Sequence, residues 1–284
     1  MHALLETLLA HSPVITDGAW GTQLYARGLK VGECPDEWNL SHPDRVEQVA
    51  RAYVTAGSRI ILTNTFGANR VRLSEFRLAD RTAEINRRGA AISKLAAGKK
   101  ALVFASIGPS GKMLMTEEVS ENELLAAYTE QAQALAEGGA DGLVIETMAE
   151  LAEAKLALAG ARTTKLPVVV CMVFDTGGHT MMGVSPAQAA QELAAADVIG
   201  ANCGNGIAQY IEICRQLRAA TKLPVWIKAN AGLPEMVNDK PVWKTTPEEF
   251  ASHAPAVIAA GANFIGGCCG TTPAHIAALA QVKG

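Results

Sequence analysis

Three cysteines carry the strongest chemical signal in the chain. Cys203 closes the apolar run DVIGANC (197–203), and Cys268 and Cys269 close the run NFIGGCC (263–269). The first lies far from the other two, so the paired C-x-x-C knuckles of a zinc finger or ribbon are missing. Neighbouring residues on an ideal strand point to opposite faces. Cys268 and Cys269 can therefore face one ion only if the strand breaks beside them. Gly266-Gly267 before them and Gly270 after them supply backbone freedom for such a break. Three thiolates make a soft donor set that suits Zn²⁺ at about 2.3 Å and leaves a fourth position open. The competing reading is that buried free cysteines act as small hydrophobes. That is the expectation for Cys171 and Cys214, while Cys34 reads as a loop thiol and a vicinal disulfide at 268–269 is a further alternative. An ion held by three thiolates keeps a net negative charge and is a poor acid for activating water. A substrate thiol entering the fourth position would lose its proton there and stay nucleophilic. Such a site fits thiol alkylation better than hydrolysis.

These cysteines end two of eight similar segments. The others are PVITDG (13–18), RIILTNT (59–65), ALVFAS (101–106), GLVIET (142–147), PVVVCMVF (167–174) and PVWIKAN (224–230). Each is short, rich in Val and Ile and almost continuously apolar, as strands buried on both faces are. Helical stretches alternate with them, near 42–57, 80–98, 120–138, 149–164, 185–196, 207–221, 247–261 and 273–282. Ser120, Ser185-Pro186 and Thr246-Pro247 mark starts, and Gly57, Gly98, Gly138-Gly139 and Gly261 mark stops. Eight strand–helix units in 284 residues predict an α/β fold, a single (β/α)₈ TIM barrel spanning residues 1–284 as one domain. A doubly wound open sheet is the runner-up, but the first turn reads Asp17-Gly18-Ala19-Trp20-Gly21 and not G-x-G-x-x-G.

In such a barrel catalytic groups gather where the strands end. The polar residues at those ends are Asp17, Thr63-Asn64, Ser106, Glu146, Asp175, Asn202-Cys203, Asn230 and Cys268-Cys269. Polarity resumes at strand ends in any case, so the joint pattern carries more weight than its members. The net charge is −3, which argues against a nucleic-acid surface. The sequence has no apolar run of membrane-spanning length and no convincing signal peptide, so a cytoplasmic location with no membrane partner is expected.

The ordered motifs resemble those of the homocysteine S-methyltransferase family, within it the homocysteine-binding module of cobalamin-dependent methionine synthase. The resemblance covers nearly the whole chain. It rests on Asp17-Gly18-Ala19-Trp20-Gly21-Thr22, Thr63-Asn64-Thr65-Phe66-Gly67, Ile107-Gly108-Pro109-Ser110-Gly111, Glu146-Thr147, Asn202-Cys203, Asn230-Ala231-Gly232 and Gly266-Gly267-Cys268-Cys269-Gly270-Thr271-Thr272-Pro273. It implies Zn²⁺ on Cys203, Cys268 and Cys269. It also implies that the Asp17-Gly18-Ala19 turn binds the amino-acid end of homocysteine, that Glu146 receives the ammonium, and that Asn230 lies beside the zinc. Asn64, Ser106 and Asn202 complete the expected substrate rim. The resemblance implies methylation of homocysteine to methionine, with methylcobalamin as donor on a separate corrinoid protein. Trp20, Phe66, Met113, Met115, Met181 and Met182 fall in rim loops that would dock it.

Two departures matter. Family members that use betaine cage its ammonium with aromatic residues. Gly67 and Thr147 stand at two of those positions, and the chain ends without their C-terminal arm, which disfavours betaine. The turn Gly204-Asn205-Gly206 after Cys203 is also unusually flexible. It keeps open a corrinoid-system methyltransferase acting on another thiol or methylated substrate. S-methylmethionine as donor, a non-catalytic zinc- or homocysteine-binding module and a phosphate-binding barrel are the remaining alternatives.

Overall fold

The computed structural model describes residues 2–175, 177–237 and 240–282. Among the described residues ten strands occur in chain order: β1 Val14–Ile15, β2 Ile60–Ile61, β3 Leu102–Ile107, β4 Gly142–Met148, β5 Val168–Met172, β6 Val198–Cys203, β7 Val225–Ala229, β8 Glu235–Val237, β9 Lys240–Val242 and β10 Ala262–Gly267. Eight form one parallel sheet in the order β1-β10-β7-β6-β5-β4-β3-β2, and β8 and β9 form a separate antiparallel hairpin. Helices fill the connections, so the expected TIM barrel is what the chain builds. The seam between β1 and β2 is nearly closed. The Arg59 N–H donates to the Ile15 carbonyl at 2.8 Å. The Asp17 carboxylate then accepts the Leu62 N–H at 2.7 Å, so a side chain does the work of a ladder rung.

Side-chain alternation divides the barrel into an apolar floor and a polar rim. Val14, Phe104, Val144, Cys171, Trp226 and Phe264 meet inside the barrel. Trp226 lies between the rings of Phe104 and Phe264, at centroid distances of 6.1 and 5.1 Å. Two residues further along their strands come Ser106, Glu146 and Lys228, again facing inward. A helix at Ala3–Leu9, absent from the sequence reading, adds Leu5 and Leu8 to this inner cluster.

Local chemistry explains where the expected helices differ. The 247–261 stretch is two helices, Pro247–Ser252 and Ala254–Ala259, with Pro255 in the first turn of the second. Proline lacks the N–H that would continue the first helix through this point. The 207–221 stretch opens as a 3-10 turn at Ile207–Gln209 before the helix Tyr210–Ala220. The hairpin β8–β9 lies outside the sequence expectation, because its strands are only three residues each and Glu235–Val237 faces solvent.

The glycines before the cysteine pair serve a purpose different from the one expected. Neither Gly266 nor Gly267 has positive φ; the turn is made by Gly270 at φ +78°. Gly266 instead lets β1 lie close. A Cβ there would meet Thr16 Oγ1 at 2.0 Å and the Asp17 carbonyl oxygen at 2.6 Å. Backbone cannot swing aside, so Gly266→Ala should destabilise the fold by about 1–3 kcal/mol. Urea unfolding with a midpoint equal to that of the wild type would contradict this account.

A candidate metal centre and its pocket

The three cysteines expected to act together do meet. The Sγ atoms of Cys203, Cys268 and Cys269 all lie within 4.8 Å of one another. A tetrahedral ion with Zn–S bonds of about 2.3 Å needs its sulfurs roughly 3.8 Å apart. Among the described residues no histidine, aspartate or glutamate joins the group. His179 is exposed and turned back toward the Gly177 carbonyl.

The backbone is shaped to bring the sulfurs together. Cys203 ends β6 with φ +71°, a left-handed conformation unusual for a side-chain-bearing residue. Its carbonyl accepts the Tyr210 hydroxyl at 3.0 Å and the Asn230 N–H at 3.2 Å. The Cys268 N–H donates to the Ala229 carbonyl at 2.7 Å, extending the β7 pairing one step past β10. The Thr271 hydroxyl donates to the Cys268 carbonyl at 2.7 Å and accepts the Ala19 N–H at 3.1 Å. One hydroxyl thus ties the cysteine turn to the Asp17-Gly18-Ala19 turn. The Trp243 ring covers Gly270, where a Cβ would meet it at 2.1 Å.

The sulfurs interact strongly. Cys203 is held well below the ordinary thiol range, first by hydrogen bonds from Cys268 and Cys269. Cys268 and Cys269 are pushed up, because each donates to that thiolate and a second negative charge beside it is resisted. A divalent cation would offset the repulsion among three thiolates. Asn230 adds a second sign. Its Nδ2 donates to the Gly204 carbonyl at 2.6 Å and approaches Cys203 Sγ at 3.6 Å, while no donor among the described residues reaches its buried Oδ1. The three-sulfur donor set fits a borderline-soft divalent ion such as Zn²⁺, which also accepts oxygen ligands.

A cavity of about 330 Å³ opens onto the sulfurs. Of the expected residues, Gly18, Ala19, Asn64, Ser106, Glu146 and the three cysteines line it; Asp17, Asn202 and Asn230 stand behind the wall. Glu146 is buried, and one oxygen accepts the Ser106 hydroxyl at 2.5 Å. No protein donor reaches its other oxygen among the described residues. Burial pushes its pKa up to about 7; the Lys228 charge opposes the shift and Cys268 and Asp17 add to it. Asn202 is fully engaged. Its Oδ1 accepts the Thr147 N–H at 2.7 Å, and its Nδ2 donates to Thr147 Oγ1 at 2.8 Å and approaches Cys268 Sγ at 3.7 Å. It steadies Thr147 at φ +63° and orients the sulfur. Asn64 braces the preceding loop, donating to the Pro35 carbonyl at 2.7 Å.

Asp17 has no oxygen to spare. One takes the Leu62 N–H and the Trp20 indole N–H at 2.8 Å, and the other pairs with the Lys228 ammonium. Lys228 is the residue that the sequence reading missed. The signal was present: it is a charge in the otherwise apolar run PVWIKAN, two residues beyond the inward-facing Trp226. Asp36 also went unnoticed. It lines the cavity, accepts the Gly67 N–H at 3.0 Å, and is raised to about 6 by burial. Cys34 lies in the loop before the Pro35–Glu37 turn, as expected, and is buried there among Ala68, Leu73 and Ile85. Of the expected docking residues, Phe66, Met115 and Met181 are exposed, while Trp20, Met113 and Met182 are half-buried. Leu233 and Met236 add further exposed apolar surface at and near the hairpin. No helix among the described residues is long and apolar enough to cross a membrane.

Comparison with known proteins agrees with this geometry. A family model described as homocysteine S-methyltransferase matches residues 14–282. The methionine synthases of Mycobacterium tuberculosis (strain ATCC 25618 / H37Rv) and Mycobacterium leprae (strain TN) are both 34% identical. The alignments cover 98% of this chain and 26% and 25% of those proteins. The chain thus spans about a quarter of the length of the curated relatives it matches. Among solved structures, the metallated form of the homocysteine methyltransferase MmuM from Escherichia coli superposes with a TM-score of 0.82. That match has 24% identity and covers 97% of this chain and 98% of that one, a likeness of fold.

Proposed function

The chain belongs to the homocysteine S-methyltransferase family, and from that premise we propose that it methylates the sulfur of homocysteine to give methionine. The observation that carries the reading is the trio of sulfurs of Cys203, Cys268 and Cys269, gathered within 4.8 Å at the wall of a cavity that also contains Glu146. Zn²⁺ held by the three cysteines would lower the pKa of a fourth, substrate sulfur while leaving it nucleophilic. The chain's own residues do the rest. The free oxygen of Glu146 receives the substrate ammonium, and Ser106 fixes that carboxylate's orientation. Asn202 and Asn230 hold the sulfurs of Cys268 and Cys203 in place. The substrate thiol gives up its proton to solvent, and its sulfur forms the new S–CH₃ bond. The donor–methyl bond breaks, and its electron pair leaves with the donor.

The donor in this proposal is methylcobalamin on a separate corrinoid protein. The methionine synthase relatives and the exposed Phe66, Met115, Met181 and Met236 support it. The test is anaerobic metal analysis followed by a donor screen. Zinc-loaded protein should consume methylcobalamin only when homocysteine is present, and a sulfur ligand should be added to zinc in X-ray absorption. If zinc is not retained, or neither methylcobalamin nor S-methylmethionine is demethylated, the proposal fails.

Glu146 gives the site a pH signature. Lys228, Asp17, Ser106 and Cys268 surround it, and the balance leaves its carboxyl near half-ionised at about pH 7. An ammonium needs the ionised form. The preference for homocysteine over 4-mercaptobutyrate, which lacks the amino group, should be constant above about pH 7. It should shrink up to tenfold per unit below that. Glu146→Gln should show a small preference at every pH. Calorimetric titration of both ligands between about pH 5 and 8 measures this, and a flat wild-type ratio would remove Glu146 from the role.

A further inference from the structure

We propose that Lys228 is the anion anchor of the acceptor pocket, donating to the carboxylate of the thiol substrate while Glu146 takes the ammonium. This rests on the thiol-methylation reading above.

Three observations carry it. Lys228 is buried, with a side chain only 2% exposed, yet it lines the cavity. An ammonium has three N–H donors. Among the described residues, Asp17 is the one acceptor it reaches, so two donors remain for something not in the protein. Burying a cation with unused donors is costly unless a ligand satisfies them. Second, the Asp17-Gly18-Ala19 turn expected to bind the amino-acid end has part of its backbone spent, because the Ala19 N–H is taken by Thr271 Oγ1. Third, strand register places Lys228 beside both the sulfurs and Glu146. Lys228 is aligned with Gly266 on one side and Asn202 on the other, beside the strand ends that carry Cys268 and Cys203. Glu146 is close enough for its charge to act on the Lys228 ammonium. A molecule whose thiol reaches the sulfur trio would bring its amino and carboxylate groups against a fixed anion and a fixed cation. Asp17 then acts as a positioning residue: it holds the Lys228 ammonium and does not itself contact the ligand.

The test uses zinc-loaded protein and three thiols: L-homocysteine, 3-mercaptopropylamine, which lacks the carboxylate, and 4-mercaptobutyrate, which lacks the amine. Calorimetric affinities are measured for the wild type and for Lys228→Met. A charge-assisted hydrogen bond predicts that wild type binds 3-mercaptopropylamine on the order of 10- to 100-fold more weakly than homocysteine. Lys228→Met should lose that factor for homocysteine and 4-mercaptobutyrate over and above any loss for 3-mercaptopropylamine, whose ammonium feels only the higher Glu146 pKa that follows removal of the Lys228 charge. Equal losses for all three would mean a structural role and overturn the proposal. So would wild-type protein binding the decarboxylated thiol as tightly as homocysteine, a reading that needs no variant. Should Lys228→Met fail to fold, Asp17→Asn/Lys228→Met removes both charges together, and the same three-ligand pattern decides. If no thiol binds the wild type, the methylation reading falls and takes this inference with it. If thiols bind without any contribution from the carboxylate, only the inference falls.

Discussion

Cys203→Ala should abolish zinc retention after dialysis and reduce thiol-dependent methyl transfer to background. Removing a thiolate leaves two sulfurs, both on one short turn, and no other metal-ligating side chain joins the group among the described residues. Loss of an outer-shell partner of a metal ligand costs 10- to 100-fold in affinity or activity, so loss of a ligand should cost at least about 100-fold. The protein should remain folded. Cys203 is only partly buried, and its carbonyl contacts with Tyr210 and Asn230 do not use the sulfur. Alanine at φ +71° adds no strain that cysteine lacks. Cys203→Gly is the informative companion, since it relieves that conformation while also removing the ligand. Metal content by mass spectrometry, alongside unfolding curves, separates the two effects. A Cys203→Ala protein that keeps one zinc and full turnover would refute the three-thiolate centre.

The parts of this site that were readable in sequence share a physical cause. The strands of a parallel barrel are apolar on both faces, so the point where polarity resumes marks the rim, and Ser106, Glu146 and Cys203 all stand there. Cys268 and Cys269 stood out because a thiol pair between glycines is hard to explain as packing alone. Lys228 was harder to see. In the run PVWIKAN the terminal polar residue is Asn230, so Lys228, set between Ile227 and Ala229, does not mark the point where polarity resumes. Only the alternation from Trp226 reveals that it faces inward. Asn202 and Asp17 were found as site residues, but their partners were not. Thr147 and Leu62 become neighbours only once the barrel closes, because those pairings cross strands with no sequence period to announce them, while Trp20 is a local partner brought round by the turn after Asp17. The short helix at Ala3–Leu9 and the hairpin β8–β9 lie outside the eight-unit repeat, so the repeat could not forecast them.

The largest stability effect should come from Asp17→Ala, about 3–5 kcal/mol at neutral pH. The wild-type pair is fully enclosed, with side-chain exposures of 0% for Asp17 and 2% for Lys228. Deleting one member of such a pair leaves the other charge in a low-dielectric interior, which costs in that range. Two further donors, the Leu62 N–H and the Trp20 indole, lose their acceptor at the seam of the barrel. The pH dependence identifies the cause. In the wild type, burial disfavours the Lys228 ammonium, but Asp17 and Glu146 more than offset it and its pKa is raised. The pair's contribution is therefore complete below the ordinary lysine pKa and is lost only as pH rises through the raised value. In Asp17→Ala the burial effect prevails over what remains, and the Lys228 pKa falls below its unfolded value. The folded variant then binds fewer protons than its unfolded chain, so its stability rises with pH across that window. The deficit relative to wild type should accordingly narrow between about pH 7 and 10 in urea titrations. The double variant Asp17→Ala/Lys228→Met should recover most of the loss, since no unpaired charge is left, and the two residues should show strong non-additivity. A pH-independent deficit of the same size in single and double variants would place the damage in the lost backbone bond to Leu62, and the buried charge pair would not be what fixes the first strand to the seventh.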